Sequence, residues 1–289
     1  MSKRILGLWN MGDGSFHNKL SPKDSKNLIK AAIRDGITSF DTAFSYKEAD
    51  SMLYSALKEA GCQRESIEII SKIMPVPTLE KKAETVLRRL NTEYIDILLI
   101  HWPSDEEAVY SSLRKLENLR EKGICKSIGV SNFPYELLKK TSEDFPLSFH
   151  ERPLSLIWNK DWKEERKLGL KTLAYAPLGL GLLTLKYKKR EEITDARKDL
   201  YVWESPAFKD LLSYMSTLPY SAASIAMNWV KREAPYGIIQ GASRPEQLHF
   251  GSIELKDDEM SKLSEYADAI TASSSSDNIF SHNYATIAP

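Results

Sequence analysis

The sequence predicts a (β/α)8 barrel in a single domain spanning residues 1–289, and three observations carry that reading. Short β-rich runs alternate with longer amphipathic ones, the pattern of βα units on a parallel sheet. Eight such runs can be counted along the chain. The length, 289 residues, suits one barrel, a class that reaches about 250 residues before insertions. A doubly wound open sheet shares the alternation, so periodicity leaves it as the alternative.

Taken in order, the expected strands are "RILGLW", "ITSFD", "IEIISK", "IDILLIH", "CKSIGVS", "PLSFHE", "LKTLAYA" and "YGIIQG". Each is short and mostly apolar, as strands covered on both faces by a barrel and its helices must be. The first helix is read over "SPKDSKNLIKAAIRDG", with Ser21 as N-cap, Pro22 at the first helical position and Gly36 as the stop. Apolar residues at three- and four-residue spacing mark further helices in "TLEKKAETVLRRLN", "DEEAVYSSLRKLENLREKG" and "SAASIAMNWVKRE". Two stretches break the rhythm. The charged run "KYKKREEITDARKD" after the seventh strand reads as a solvated loop or helix face. The tail over residues 271–289 reads as a loop, its serine run favouring mobility, with Phe280 and Tyr284 able to dock on the body.

Composition excludes several function classes. Apolar residues make up 42% and charged residues 28%, enough for a sizeable core and against global disorder. Forty basic residues balance forty acidic ones, so the electrostatic footprint of a nucleic-acid binder is missing. No stretch approaches the eighteen or so apolar residues of a spanning helix, and the apolar run at the N-terminus is short for a signal peptide. A cytoplasmic protein with no nucleic-acid or membrane partner is expected. Cys62 and Cys125 lack metal-like spacing and read as a loop thiol and a core thiol. The five histidines, at 17, 101, 150, 249 and 282, form no His-x-His pair on a strand, so no metal is expected and a metal-dependent barrel hydrolase is set aside.

Chemistry in such barrels sits at the C-terminal ends of the strands. The second expected strand ends in Asp41, with Tyr46 in the loop beyond; the third ends in Lys72, the fourth in His101 and the fifth in Ser131 followed by Asn132. Each alone has an ordinary structural role: a turn-forming aspartate, a snorkelling lysine, a satisfied histidine. Together they converge on one mouth, where Lys72 answers the charge of Asp41. A nearby ammonium favours a phenolate and so eases proton loss from Tyr46. Tyr46 then reads as a general acid toward a carbonyl oxygen, with Asp41 holding Lys72 and His101 orienting the oxygen.

These residues resemble the aldo-keto reductase family. The motifs run in family order over most of the chain: "GLWNMG", "FDTAFSY", "IISK", "LLIHWP", "SIGVSNF", "LAYAPLGLGLLT" and "IIQGASRPEQL". The resemblance implies a TIM barrel that binds an extended nicotinamide dinucleotide, NADPH with NADH possible, and reduces an aldehyde or ketone with the tetrad Asp41, Tyr46, Lys72 and His101. It places Leu8, Trp9 and Asp41 beside the cofactor, Ser131, Asn132 and Glu151 at the carboxamide, and Tyr175 stacked on the nicotinamide. Ala176, Pro177, Leu178, Gly179 and Gly181 would wrap the pyrophosphate, and Ser243 and Arg244 would grip the adenosine end. Where many relatives have a carboxamide-binding glutamine this chain has Glu151. Where relatives that prefer NADPH carry a lysine and an arginine it has Gly241 and Gln247, which leaves Arg244 and Lys186 for the 2′-phosphate. Many relatives also carry glycine where Lys47 follows the tyrosine. The first barrel strand begins close to residue 1, so the N-terminal hairpin usual in the family looks abbreviated.

The leading reading is an NADP-dependent carbonyl reductase with a small-molecule carbonyl substrate, as a monomer or small homo-oligomer. The alternative is a nicotinamide-cofactor-binding sensor or regulatory subunit with little turnover, which the complete tetrad disfavours. Loops around Trp9, Trp102, the segment after Lys186 and the tail would set substrate choice.

Overall fold

The computed structural model describes residues 2–12, 19–251 and 253–273. Eight parallel strands close into a barrel: β1 (Lys3–Gly7), β2 (Ser39–Asp41), β3 (Glu68–Ile73), β4 (Ile95–Ile100), β5 (Cys125–Ser131), β6 (Phe149–Pro153), β7 (Lys171–Tyr175) and β8 (Gly237–Gly241). Closure is made by β8 pairing with β1, with Gly7 opposite Gly241, and this removes the open-sheet alternative. All eight expected strands form. The first stops at Gly7, so Leu8 and Trp9 lie beyond it, and the sixth starts at Phe149 rather than at Pro146.

Among the described residues eight longer helices cover the outside: α1 (Pro22–Arg34), α2 (Glu48–Glu59), α3 (Leu79–Leu90), α4 (Glu106–Glu121), α5 (Tyr135–Asp144), α6 (Pro206–Thr217), α7 (Ala222–Arg232) and α8 (Asp257–Ala272). Their ends follow the capping chemistry of the sequence. Ser21 accepts from the Asp24 backbone N–H at 3.1 Å and Pro22 opens α1, while Gly36 takes φ 78° just past its end. Asp105 and Ser221 cap α4 and α7 in the same way, at 2.9 and 3.1 Å. Of the tail expected as a loop over residues 271–289, Thr271 and Ala272 belong to α8; residues 274–289, with Phe280 and Tyr284, lie outside the described residues.

Apolar side chains fill two layers. Inside the barrel Ile5, Ile70, Ile97, Leu99, Phe149, Leu173 and Ile239 pack against one another, so the lumen is a core and not a pore. Gly237 makes room there: a Cβ at that position would lie 2.4 Å from Cδ1 of Ile5. Outside, the apolar faces of the helices pack on the strands in two large clusters. The lower barrel being closed by Ile and Leu, the polar residues are left to the strand ends at the mouth. Cys62 is half-buried and Cys125 buried, both unpaired, as read from the sequence.

Candidate active site

At the C-terminal mouth of the barrel opens a cavity of about 390 Å³. Asp41, Tyr46, His101, Asn132, Glu151 and Tyr175 line one part of it; Ala176, Pro177, Leu178, Gly181 and Lys186 line another; Trp9, Gly241, Ser243 and Gln247 line the rest of it among the residues expected from the sequence. The lysine of the tetrad is not on the wall. Lys72 lies beneath it, 1% exposed.

Strand register explains the convergence. Asp41 is the last residue of β2 and pairs with Ile70 on β3; two residues on, Lys72 points to the same face. The Lys72 ammonium bonds Asp41 Oδ1, donates to the Thr42 carbonyl at 3.1 Å, and lies 3.1 Å from Glu151 Oε1. All three side chains are nearly dry, at 4% exposure for Asp41 and 3% for Glu151. Burial alone would lower the Lys72 pKa, but Asp41 and Glu151 outweigh it and raise it, so the ammonium stays charged. Burial raises the Asp41 carboxyl while Lys72 opposes the rise. Glu151, buried and facing the Asp41 charge, is pushed up to about 8.

Above this group stand Tyr46 and His101. The Lys72 ammonium lies 5.7 Å from the centroid of the Tyr46 ring, and the His101 ring meets that ring edge-on at 6.0 Å. Tyr46 ends a single 3-10 turn, Phe44–Tyr46, that leads into α2. Gly12 backs it: a Cβ on Gly12 would fall 1.8 Å from the Tyr46 carbonyl oxygen, so only glycine fits there. Below the turn the Thr42 hydroxyl donates to Asp50 at 2.7 Å, and Arg89 donates to the Phe44 carbonyl at 3.0 Å. Burial and the Lys72 charge push the His101 pKa well below the imidazole range, so His101 is neutral at neutral pH and offers one N–H donor and one acceptor. Lys47, the residue after the tyrosine, is exposed and takes φ 48° and ψ −95°.

Asn132 and Tyr175 form a second constellation. The Tyr175 hydroxyl donates to Asn132 Oδ1 at 2.6 Å, and Asn132 Nδ2 donates to the His101 carbonyl at 3.0 Å and to Ser131 Oγ at 2.9 Å. Past β7 the chain turns tightly, with positive φ at Ala176, Gly179, Leu180 and Gly181. Gly179 sits behind the wall, against Ile157. At the β8 end, Gln247 Oε1 accepts from the backbone N–H groups of Ser243 and Arg244 at 2.7 and 3.1 Å.

Some expected residues stand off the cavity. The Leu8 side chain is fully buried in the core, and its N–H donates to the Asp41 carbonyl at 2.9 Å. Ser131 is buried, and Arg244 is exposed outside the lining. The charged run after β7 is largely exposed, as expected of a solvated loop, but Arg197 is not: it is 6% exposed, lines the cavity, and donates to the Leu180 carbonyl at 2.8 Å while pairing with Asp195 at 2.6 Å. Ile193 and Leu200, buried at 4% and 8%, anchor the run, and those two apolar residues among the charges were the signal in the sequence. Asn10, Thr184, Tyr187 and Gln240 also line the cavity without having been singled out. Among the described residues no group of His, Cys, Asp and Glu side chains is placed to hold a metal ion.

Comparison with known proteins agrees with this fold. Residues 4–268 match the profile described as Aldo/keto reductase family. An aldo-keto reductase of Bacillus subtilis is 28% identical over 275 residues, 84% of this chain and 82% of that protein. A glyoxal reductase of the same organism is 33% identical over 172 residues, 55% of this chain and 60% of its own length. Among solved structures, a glycerol dehydrogenase from Gluconobacter oxydans superposes with a TM-score of 0.77 at 26% identity, covering 91% of this chain and 90% of that one.

Proposed function

Because the chain belongs to the aldo/keto reductase family, oxidoreductases that use nicotinamide cofactors, we propose that it reduces an aldehyde or ketone to an alcohol with NADPH, Tyr46 giving the proton. The observation that carries this reading is the stack of Asp41, Lys72, Tyr46 and His101 opening into one cavity, with the ammonium 5.7 Å below the phenol ring. The dinucleotide fits the residues present. Glu151 Oε2 is a buried oxygen without a hydrogen-bond partner among the described residues, beside Asn132 and Tyr175, and the same cavity reaches Ser243 and Gln247. Asn132 and Glu151 would hold the carboxamide, Tyr175 the ring face, residues 176–181 the pyrophosphate, and Lys186 and Arg197 the phosphate charge. Reduced nicotinamide supplies a hydride to the carbonyl carbon when bound.

The chain's own part is the proton and the oxygen. Tyr46 donates its phenolic proton to the carbonyl oxygen, and the Lys72 ammonium stabilises the negative charge that grows on the phenolic oxygen as it does so. Asp41 keeps that ammonium in place and charged. The neutral His101 donates its N–H to the same carbonyl oxygen and fixes its direction. The relatives named a glyoxal reductase and a glycerol dehydrogenase point the substrate search toward small oxygenated aldehydes and ketones.

A panel of aldehydes and ketones, run with NADPH and with NADH and followed by loss of reduced-nicotinamide absorbance, tests the proposal. Tyr46→Phe lowers kcat by about 10² to 10⁴, the usual weight of a positioned general acid, and leaves the cofactor Kd within a few-fold. Full turnover in that variant refutes the assignment, and tight cofactor binding with no turnover on the whole panel supports a sensor instead.

A further inference from the structure

The charge of Glu151 is the feature this reading leaves unexplained, since a carboxyl stands where an amide would serve and it crowds the ammonium beneath the site. Asp41, Lys72 and Glu151 come from β2, β3 and β6 and are each under 5% exposed. Two carboxyls therefore share one ammonium in a nearly dry pocket. With both ionised the set would carry an uncompensated negative charge, which is costly where water is excluded.

The contacts say which carboxyl gives way. Lys72 bonds Asp41 directly, whereas it lies 3.1 Å from only one oxygen of Glu151. The other, Oε2, is buried with no partner among the described residues. A carboxylate oxygen without a donor is costly, whereas the hydroxyl of a neutral carboxylic acid is itself a donor and leaves no buried charge unpaired. A neutral acid also matches an amide in kind, with one donor and one acceptor.

We propose that Glu151 works as a neutral carboxylic acid, and that loss of its proton shuts the reaction off on the alkaline side by giving Lys72 a second anion to balance. The link to turnover rests on the reading of Tyr46 as proton donor: once Glu151 is charged, the set of Asp41, Lys72 and Glu151 passes from neutral to net negative and opposes the negative charge that grows on the phenolic oxygen. Glu151 is thus a positioning residue, acting through Lys72. The groups that act on it are Asp41 and Lys72. Tyr46, His101, Tyr175 and Tyr187 are the other titratable side chains on the same cavity, and its cations Lys186 and Arg197 come from the connection after β7. Its strand neighbours His150 and Arg152 take the opposite face of β6 and pair with Glu165 at 3.2 and 2.6 Å.

Infrared titration of the cofactor-free protein reads this directly. A protonated-carboxyl C=O band present at pH 6 fades with a midpoint near 8 and is missing in Glu151→Gln. In turnover, the unmutated protein loses rate about tenfold per pH unit above that midpoint, and Glu151→Gln moves the alkaline limb up by at least one unit, whatever its plateau rate. The midpoint of the band is read on the unmutated protein and needs no variant to fold. A missing or non-titrating band, or the same alkaline limb in both proteins, overturns the inference and leaves the reductase reading standing. A titrating band in a protein that reduces nothing on the carbonyl panel overturns the reductase reading, and the alkaline control with it.

Discussion

Replacing Lys72 by methionine removes the charge and keeps most of the stem, which isolates what the ammonium does for the fold. Lys72 is 1% exposed and Asp41 4%, so water cannot step in for the lost partner. Breaking a buried ion pair by deleting one side costs about 3 to 5 kcal/mol. For a chain of 289 residues the unfolding entropy is about 0.6 kcal/mol per degree, so Tm falls by about 5 to 8 °C at pH 7. The pH dependence has a definite sign. Without Lys72 the folded Asp41 carboxyl lies above its unfolded value, so the folded state takes up a proton, and the stability that goes with it is present at pH 4 and lost as the pH rises. The deficit of Lys72→Met against the parent is therefore small at pH 4 and full at pH 7. Adding Asp41→Asn removes the stranded anion and restores part of the loss, giving a coupling energy of about 1 to 3 kcal/mol. Urea denaturation of the four proteins at pH 4 and pH 7 completes the cycle. A Lys72→Met protein as stable as the parent at pH 7, or single-variant losses that simply add, would refute the buried-pair argument.

Two further outcomes follow from the loop around the proposed acid. Lys47 holds φ 48° with ψ −95°, a conformation open to glycine and strained for lysine; Lys47→Gly raises stability by about 1 kcal/mol by urea midpoint, and because Lys47 is exposed the pH–rate profile does not move. Asp50, buried under the same turn, is pushed up to about 6, so its contribution to stability is present below pH 4 and is lost as the pH rises through 6. Asp50→Asn keeps an acceptor for the Thr42 hydroxyl and flattens that slope, leaving the variant more stable than the parent at pH 7 by about 1 to 3 kcal/mol; a variant that follows the parent's curve between pH 4 and 7 assigns the slope elsewhere.

Most of the architecture was legible because strand and helix signals are local. Ser21 and Pro22 before an amphipathic run and Gly36 after it specify a helix with no help from the rest of the chain. Strand ends rank the polar residues: Asp41, Lys72, His101 and Asn132 close or follow strands, with Tyr46 in the loop beyond the second. Burial was harder to read. The run from Lys186 to Asp199 looks solvated by composition, yet Ile193 and Leu200 dock it and carry Arg197 into the cavity. Arg244 and Gln247 were placed at the adenosine end by motif, and the folded chain keeps the first outside the lining and binds the second to backbone N–H groups.

By itself the sequence determined the alternation of eight strands with their helices, the family, and which residue types stand at the mouth, since each depends on neighbours a few residues apart. Only the tertiary structure decided that Lys72 lies beneath the wall between two carboxyls, one of them with a buried oxygen left over. Those three residues are separated by 31 and 79 positions in the chain, and the protonation of a carboxyl depends on which charges share its dry pocket, a property no local pattern encodes.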